Sequence, residues 1–551
     1  MKTNWTWKHP YQSPAKYQKR VAYFSMEFGI DHIFRIYSGG LGYLAGSHMR
    51  SAHDLQQNMI GIGMLWKFGY FDQVRDQNNN MKVLYRERFY TFLEKTDIII
   101  PVVINGNTVH LQVWYLPPHI FGTVPMYFFT TDFSGLNDYL SQTITYHLYD
   151  NNAPTRIAQS MVLGIGGAKL VEILGGADIY HMNEAHALPM CFQLYKELGD
   201  IKKVREKVVF TTHTPEKAGN EERDINLLER MGFFAGVPLA DVRKITHNPD
   251  SNMFNYTAAA LQMSKRANGV SKLHAEVSKE MWAYVKDAAP IIPITNAQNQ
   301  RYWQDPQLKE ALDADDTEAL KQRKRDLKIE LFRFVADQTG NLFDPDVLTI
   351  VWARRFAGYK RADLIMRNHQ YFYQLLNQTQ YPIQIIWAGK PYPMDEGAID
   401  LFNRLVWNTH LAKNATIITG YEMDVSALLK KGSDIWLNTP RRPREASGTS
   451  GMTASMNASV NFTINDGWIP EYAKHKHNSF VIPEADLSQS IEAQDDQDYE
   501  NLMRILKSDI LPCYYDTPDK WWEIVKNSMR EVVPPFGSDR MADDYYELLY
   551  K

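Results

Sequence analysis

The chain has 551 residues, 44% hydrophobic and 13% aromatic, enough for two large domains with sizeable cores. Its 60 basic and 64 acidic residues leave a net charge of −4, which argues against nucleic acid or an anionic membrane surface as a partner. Two cysteines, Cys191 and Cys513, are too few for a disulfide framework or a cysteine-built zinc site, and no apolar run is long enough to span a membrane.

Taken in order, the opening segment MKTNWTWKHPYQ has no apolar core and no cleavage pattern, so no signal peptide is expected and a reducing, cytoplasmic setting is read. The run RVAYFSM, 20–26, has the length of a buried strand, with Glu27, Phe28 and Gly29 at its end. Gly39, Gly40 and Gly42 then lead into a helix with Leu41, Leu44, Ala45, Met49 and Ala52 on one face, together with His48. Glycines in such a place let backbone approach a phosphate, or else mark a tight turn with close helix packing. MIGIGML, 59–65, predicts another strand, and a β-rich stretch runs to about Thr131. Residues 155–174 read as a helix whose glycines at 164, 166 and 167 serve packing, because no strand precedes them.

Two strands, 178–182 and 207–212, end in polar residues: Asn183, Glu184 and His186 after the first, His213 after the second. Strand ends of an open α/β sheet are where ligands bind, although a lone histidine is more often structural. Glu216, Lys217, Asn220 and Glu221 continue a polar loop, and Ser271 is the expected N-cap of a later helix. PITNA, 293–297, reads as a hinge, and the charged helical stretch 305–337 as a solvated face. Beyond it, strands at 348–353, 383–388, 415–419 and 434–438 alternate with helices at 361–377 and 398–411, the pattern of a parallel sheet covered on both faces. A strand at 460–464 follows, and a last helix begins at Ser538.

Two stretches of this second half carry chemistry. RRFAGYKR, 354–361, puts Arg355 and Lys360 at the end of a strand, where they either converge on one anion or form a basic surface turn. PRRPREASGTSGM, 440–452, sets Arg441, Arg442, Arg444 and Glu445 ahead of a turn of Ser447, Gly448, Thr449, Ser450 and Gly451 that opens a helix. Unpaired N–H groups at such a turn face an anion, and with a carboxylate and positive charge beside them they suit a phosphorylated sugar.

These stretches resemble the α-glucan phosphorylases, the glycogen, starch and maltodextrin phosphorylase family, in its shorter bacterial and archaeal branch. AYFSMEFG, YSGGLGYLAG, HMNEAHA, FTTHTPEKAGNE, NGVSKLH, RRFAGYKR, WAGKPYP and PRRPREASGTSGM occur in family order and cover most of the chain. The resemblance implies an α/β glycosyltransferase-B fold: two Rossmann-like parallel-sheet domains, 1–295 and 296–520, facing across a cleft, with 521–551 as a helix crossing back. It implies that Arg355 and Lys360 bind phosphate beside Tyr359, and that Gly39, Gly40 and Gly42 form a glycine loop near the same group. His213 then contacts the donor hexose, Glu445 holds it, and Ser447, Gly448 and Thr449 form the donor turn. Glu27, Asn183 and His186 line the cleft. The chain lacks the long regulatory extensions of larger phosphorylases, so effector control is not expected; a homodimer is the family habit.

One departure changes the expected chemistry. The family's lysine, eight residues after the glutamate, holds pyridoxal phosphate as a Schiff base, and here that position is Thr453. Threonine has no amine, so neither a covalently bound cofactor nor pyridoxal phosphate is expected; nor is a metal. Relatives of the same fold use sugar nucleotides with retention, holding the pyrophosphate with an equivalent arginine and lysine. The expectation is therefore a retaining hexosyltransferase acting on an α-glucan or related carbohydrate from a sugar-nucleotide donor, with Thr453 on the donor side. Two alternatives stand beside it: phosphorolysis of α-1,4-glucan to glucose 1-phosphate with non-covalent pyridoxal phosphate, and a catalytically silent glucan-binding protein. The intact Arg355, Lys360 and Glu445 argue against the last.

Overall fold

The computed structural model describes residues 5–216 and 219–551, so Lys217 of the polar loop lies outside the described residues. The chain forms two compact units: Met1–Phe71, Tyr85–Asn296 and Ser538–Lys551 in unit 1, and Asp72–Leu84 with Ala297–Gly537 in unit 2. Among the described residues no helix is long and apolar enough to cross a membrane.

Unit 1 is built on a nine-stranded sheet. Its strands are β1 (Val21–Phe24), β2 (Met59–Met64), β3 (Glu94–Ile104), β4 (Asn107–Leu116), β5 (Met126–Thr130), β6 (Ile179–Asn183), β7 (Val208–Thr212), β8 (Arg266–Gly269) and β9 (Ile291–Pro293). The order is β9-β8-β7-β6-β1-β2-β5-β4-β3. From β9 to β5 all pairings are parallel, and β4 and β3 close the edge antiparallel. β1, β2, β6 and β7 are buried along their whole length, as parallel strands covered on both faces must be. β3 instead alternates exposed and buried residues, and it turns into β4 through Asn105 and Gly106, both with positive φ, the arrangement of a type I′ hairpin. The strand order reverses between β1 and β6, so the ends of these two strands flank the crevice where an open sheet accepts ligands.

Helix α1 (Gly40–Asp54) lies directly on the segment that leaves β1. A Cβ at Gly46 would come within 1.8 Å of the Gly29 carbonyl oxygen, so only glycine permits this approach. Within 155–174, Gly164 and Gly167 pack against the Met190 backbone and the Phe24 ring, in keeping with a packing role.

Unit 2 carries an all-parallel six-stranded sheet: β10 (Leu348–Ala353), β11 (Ile383–Ala388), β12 (Ala415–Ile418), β13 (Ile435–Asn438), β14 (Val460–Ile464) and β15 (Ser479–Ile482). The order β12-β11-β10-β13-β14-β15 reverses between β10 and β13. Helix α2 (Thr317–Thr339) and helix α3 (Met423–Gly432) cover one face, with Leu331, Val335, Leu429, Trp436 and Ile386 in one core. The charged stretch 305–337 is not wholly a solvated face. Lys328 is buried against Asp434 at 2.5 Å, and buried Lys324 donates to the carbonyls of Lys431 and Asn457, where helix ends leave acceptors unpaired.

Two boundaries differ from the sequence reading. The hairpin Asp72–Leu84, expected within 1–295, belongs to unit 2 because its polar groups are satisfied there. Gln73 bonds the Gly389 carbonyl (2.9 Å) and the Gly420 N–H (3.1 Å), and the Met81 N–H donates to Asn403 (2.9 Å). The segment 521–551 is not one crossing helix but divides at Gly537. Within unit 2, Val532 and Phe536 at the end of the helix Pro518–Phe536 pack on Trp468 and Tyr472. Ser538–Lys551 is part of unit 1: Tyr550 is fully buried, its hydroxyl lies 2.8 Å from His181 Nδ1, and its carbonyl accepts Lys19 at 2.6 Å.

Candidate functional site

The sequence-predicted residues gather at the switch point of each sheet. In unit 2 the turn 354–361 leaves β10 and the turn 439–449 leaves β13, and the two are tied together. The Arg441 N–H donates to the Tyr359 carbonyl (2.7 Å), and the Arg361 guanidinium donates to the carbonyls of Thr439 (3.0 Å) and Pro440 (2.9 Å). Between the turns lies a buried ion cluster. Lys360 Nζ donates to both oxygens of Glu445, at 3.0 and 2.7 Å, and Arg354 Nη1 to one at 3.0 Å. Burial alone would raise the Glu445 pKa, but the charges of Lys360 and Arg354, with a smaller contribution from Arg355, hold it below the usual carboxylate range. Gly448 sits at φ +88°, and a Cβ there would lie 3.2 Å from Glu445 Cγ, so the turn needs glycine on both counts.

Asp466, just beyond β14, supports the cluster from behind. Its two oxygens accept the N–H groups of Glu445 (2.9 Å) and Gly467 (2.8 Å), and burial pushes its pKa up to about 7. The buried Ser447 Oγ and Arg354 Nε have no partner among the described residues, and buried donors of this kind call for an acceptor from outside the chain. Tyr359 lies beneath the Lys360 ammonium, 5.0 Å from nitrogen to ring centre.

Three sequence-level expectations are refined here. Of the arginine doublet, it is Arg354 that turns inward to Glu445, while Arg355 is exposed and adds its charge. Arg441 and Arg442 are not available to an anion: Arg441 grips Asp495 with two bonds (3.1 and 2.7 Å), and Arg442 pairs with Glu484. Thr453 lies in helix α4 (Ser450–Ser455), 1% exposed, and its hydroxyl donates to the Ser450 carbonyl at 3.1 Å. This position therefore does not fit a covalently held pyridoxal phosphate: it offers a hydroxyl already engaged with its own helix where an imine needs an amine. Lys324, joined to α4 through the Asn457 carbonyl, is committed to helix-end carbonyls.

In unit 1 the switch point brings together Glu27, Gly39, Asn183, His186 and His213. Glu27 Oε2 accepts the N–H groups of Ser38 (2.6 Å) and Gly39 (3.1 Å), and its Oε1 accepts the hydroxyls of Ser38 (2.9 Å) and Tyr149 (2.6 Å). The glycine loop thus does bind a carboxylate, but the carboxylate is the chain's own. Gly42 packs against that oxygen, where a Cβ would come within 2.7 Å, and exposed Gly40 opens α1, which has no side-chain N-cap. Tyr149 stacks under Arg156 (4.6 Å), which pairs with Glu221 (2.8 Å) and reaches His186 Nε2 (3.4 Å). Burial, then the Arg156 charge, lowers the His186 pKa to about 4.

The tautomer of His213 follows from its bonds. Ser25 Oγ donates to the Glu27 carbonyl (2.8 Å), so it accepts from Asn183 Nδ2 (3.1 Å). Asn183 Oδ1 then accepts from His213 Nε2 (2.7 Å), which must carry the proton. Burial, then His274 and His186, lowers the His213 pKa to about 3, so the ring is neutral, protonated on Nε2 and with Nδ1 as acceptor. The adjacent Glu184 accepts the backbone N–H of His213 and the hydroxyl of Thr214 (3.2 Å), and burial pushes its pKa up to about 7. Ser25, Tyr149, Arg156 and Asp466 were not singled out from sequence; none belongs to a motif whose spacing marks a ligand site.

No family model matches the chain. It is 48% identical to an uncharacterized protein of Methanocaldococcus jannaschii over 97% of this chain and all of that protein. It is 31% identical to maltodextrin phosphorylase of Thermococcus litoralis and 30% identical to glycogen phosphorylase of Mycobacterium tuberculosis. These alignments span 97% and 96% of this chain and 71% and 70% of those two proteins.

Proposed function

Because the chain belongs to the glycogen and maltodextrin phosphorylase family, we propose that it is a retaining hexosyltransferase that acts on an α-glucan, takes its hexose from a sugar nucleotide and works without a covalently bound cofactor. The observation that carries this reading is the buried Arg354–Lys360–Glu445 cluster, kept complete beside a helix in which Thr453 offers a hydroxyl bonded to its own helix and no amine.

In this reading Lys360, Arg354 and exposed Arg355 take the donor's diphosphate. Glu445 then exchanges its cations for the hexose hydroxyls, and Ser447 Oγ supplies one more donor. The glucan hydroxyl attacks the anomeric carbon from the face the leaving group departs. A carbon–oxygen bond to the acceptor forms, the anomeric carbon–phosphate oxygen bond breaks with its electron pair, and the acceptor's proton passes to the departing oxygen. Fixed cations stabilise the charge that builds there, each contributing about 3 kcal/mol. In unit 1, neutral His213, with Nδ1 as acceptor, receives a hydrogen bond from a sugar hydroxyl. A second reading, phosphorolysis of α-1,4-glucan with non-covalent pyridoxal phosphate, is supported by the relatives, a maltodextrin phosphorylase and a glycogen phosphorylase.

The test is transfer to maltoheptaose by the full chain from a panel of nucleoside diphosphate glucoses, run beside orthophosphate and glucose 1-phosphate with and without added pyridoxal phosphate. Nucleoside diphosphate release with lengthened glucan is expected. Release of glucose 1-phosphate dependent on orthophosphate, or no transfer from any nucleotide sugar, overturns the proposal.

A further inference from the structure

Glu184 has the backbone of a glycine. Its φ is +67° and its ψ 166°, a region that residues with a Cβ almost never occupy and that is strained wherever it is held. It follows the last residue of β6, and the adjacent parallel strand β7 ends one residue before His213. The unusual backbone carries the buried carboxylate across to that neighbouring strand end, where it accepts the His213 N–H and the Thr214 hydroxyl. Asn183, one residue earlier, holds the same histidine by its ring at 2.7 Å. Two consecutive residues thus grip His213 by main chain and by imidazole, and a relaxed backbone at 184 would aim the carboxylate elsewhere.

We infer that Glu184 is a positioning residue for His213, its backbone strain retained to hold the imidazole toward the sugar. The inference rests on the reading of His213 as a hexose contact given above, but the strain and the hold on the ring are testable without it.

Three variants of the full chain separate the possibilities. Glu184→Gln keeps an acceptor oxygen, Glu184→Ala removes it and keeps the strain, and Glu184→Gly removes both. Nitrogen NMR of His213, assigned by its loss in His213→Gln, is expected to show the Nε2-protonated neutral ring in the parent and in Glu184→Gln, and a shifted or averaged signal in the other two. Glycine ordinarily weakens an ordered backbone relative to alanine. Here Glu184→Gly is expected to unfold about 2 °C above Glu184→Ala. With maltoheptaose as probe, the rise in unfolding midpoint is expected to fall at least threefold in Glu184→Ala and Glu184→Gly, and to be largely restored in Glu184→Gln. An alanine variant with the parent's His213 signal, or a glycine variant no more stable than alanine, overturns the inference. A parent that shows the expected His213 signals yet takes no glucan refutes the hexose assignment and not the positioning.

Discussion

Replacing Glu445 by glutamine tests the central cluster of unit 2. The carboxylate faces Lys360 at 2.7 Å and Arg354 at 3.0 Å, and all three side chains are at most 10% exposed. At an effective dielectric constant of about 20, each contact near 3 Å is worth about 5 kcal/mol before desolvation is charged against it. Desolvation offsets most of that, yet removing one member strands the others, so Glu445→Gln should cost about 3 kcal/mol, or about 8 °C in the midpoint of a unit this size. The same change frees two cations. In the parent an anion must displace the carboxylate to reach them; in the variant it meets no competitor. Pyrophosphate at about a hundred times its dissociation constant should return about 2.7 kcal/mol, nearly the whole loss. The assay is thermal unfolding of parent and variant across a pyrophosphate series at constant ionic strength. Equal midpoints without pyrophosphate, or a rise in the variant no larger than the parent's, would refute the assignment of these cations as an anion site held closed by Glu445.

Two further perturbations follow from the same geometry. Glu184 and Asp466 have folded pKa values raised to about 7, so the stability they lend is fully present below the unfolded carboxylate range and lost as pH climbs through 7. Denaturant unfolding between pH 5 and 8 should show Glu184→Gln and Asp466→Asn each losing less stability than the parent over that interval; an unchanged slope in both contradicts the burial argument. Asp495 is shared by buried Arg361 (2.7 Å) and by Arg441, so Asp495→Ala should cost about 3–5 kcal/mol in urea. A loss below about 1 kcal/mol would mean that the two turns stand without this brace.

Much of the architecture was visible beforehand, because parallel strands covered on both faces read as short continuous apolar runs and their crossovers as helices. The pairs Leu348–Ala353 and Ile435–Asn438 are of this kind, and their polar followers became the site. Side-chain partners were less visible. Arg354 and Arg355 are chemically identical in a list of letters, and only the exit direction of β10 decides which turns inward. Arg441 and Arg442 looked like phosphate ligands because the aspartate and glutamate that claim them lie 54 and 42 residues downstream. Lys324 and Lys328 looked solvated because their partners are helix-end carbonyls and Asp434, which no local pattern announces. The hairpin Asp72–Leu84 was placed by bonds from the Gln73 side chain to strand ends more than three hundred residues away.

The burial of Tyr550 within unit 1 has a consequence for how the polypeptide is made. The sheet that starts at Val21 completes its core only with residues synthesised after all of Ala297–Gly537. Domains commonly fold from the N-terminus as they leave the ribosome. Here that order is inverted: unit 2 has its full complement of chain first, while the earlier-made strands of unit 1 wait, incompletely covered, for a tyrosine translated last among their contacts.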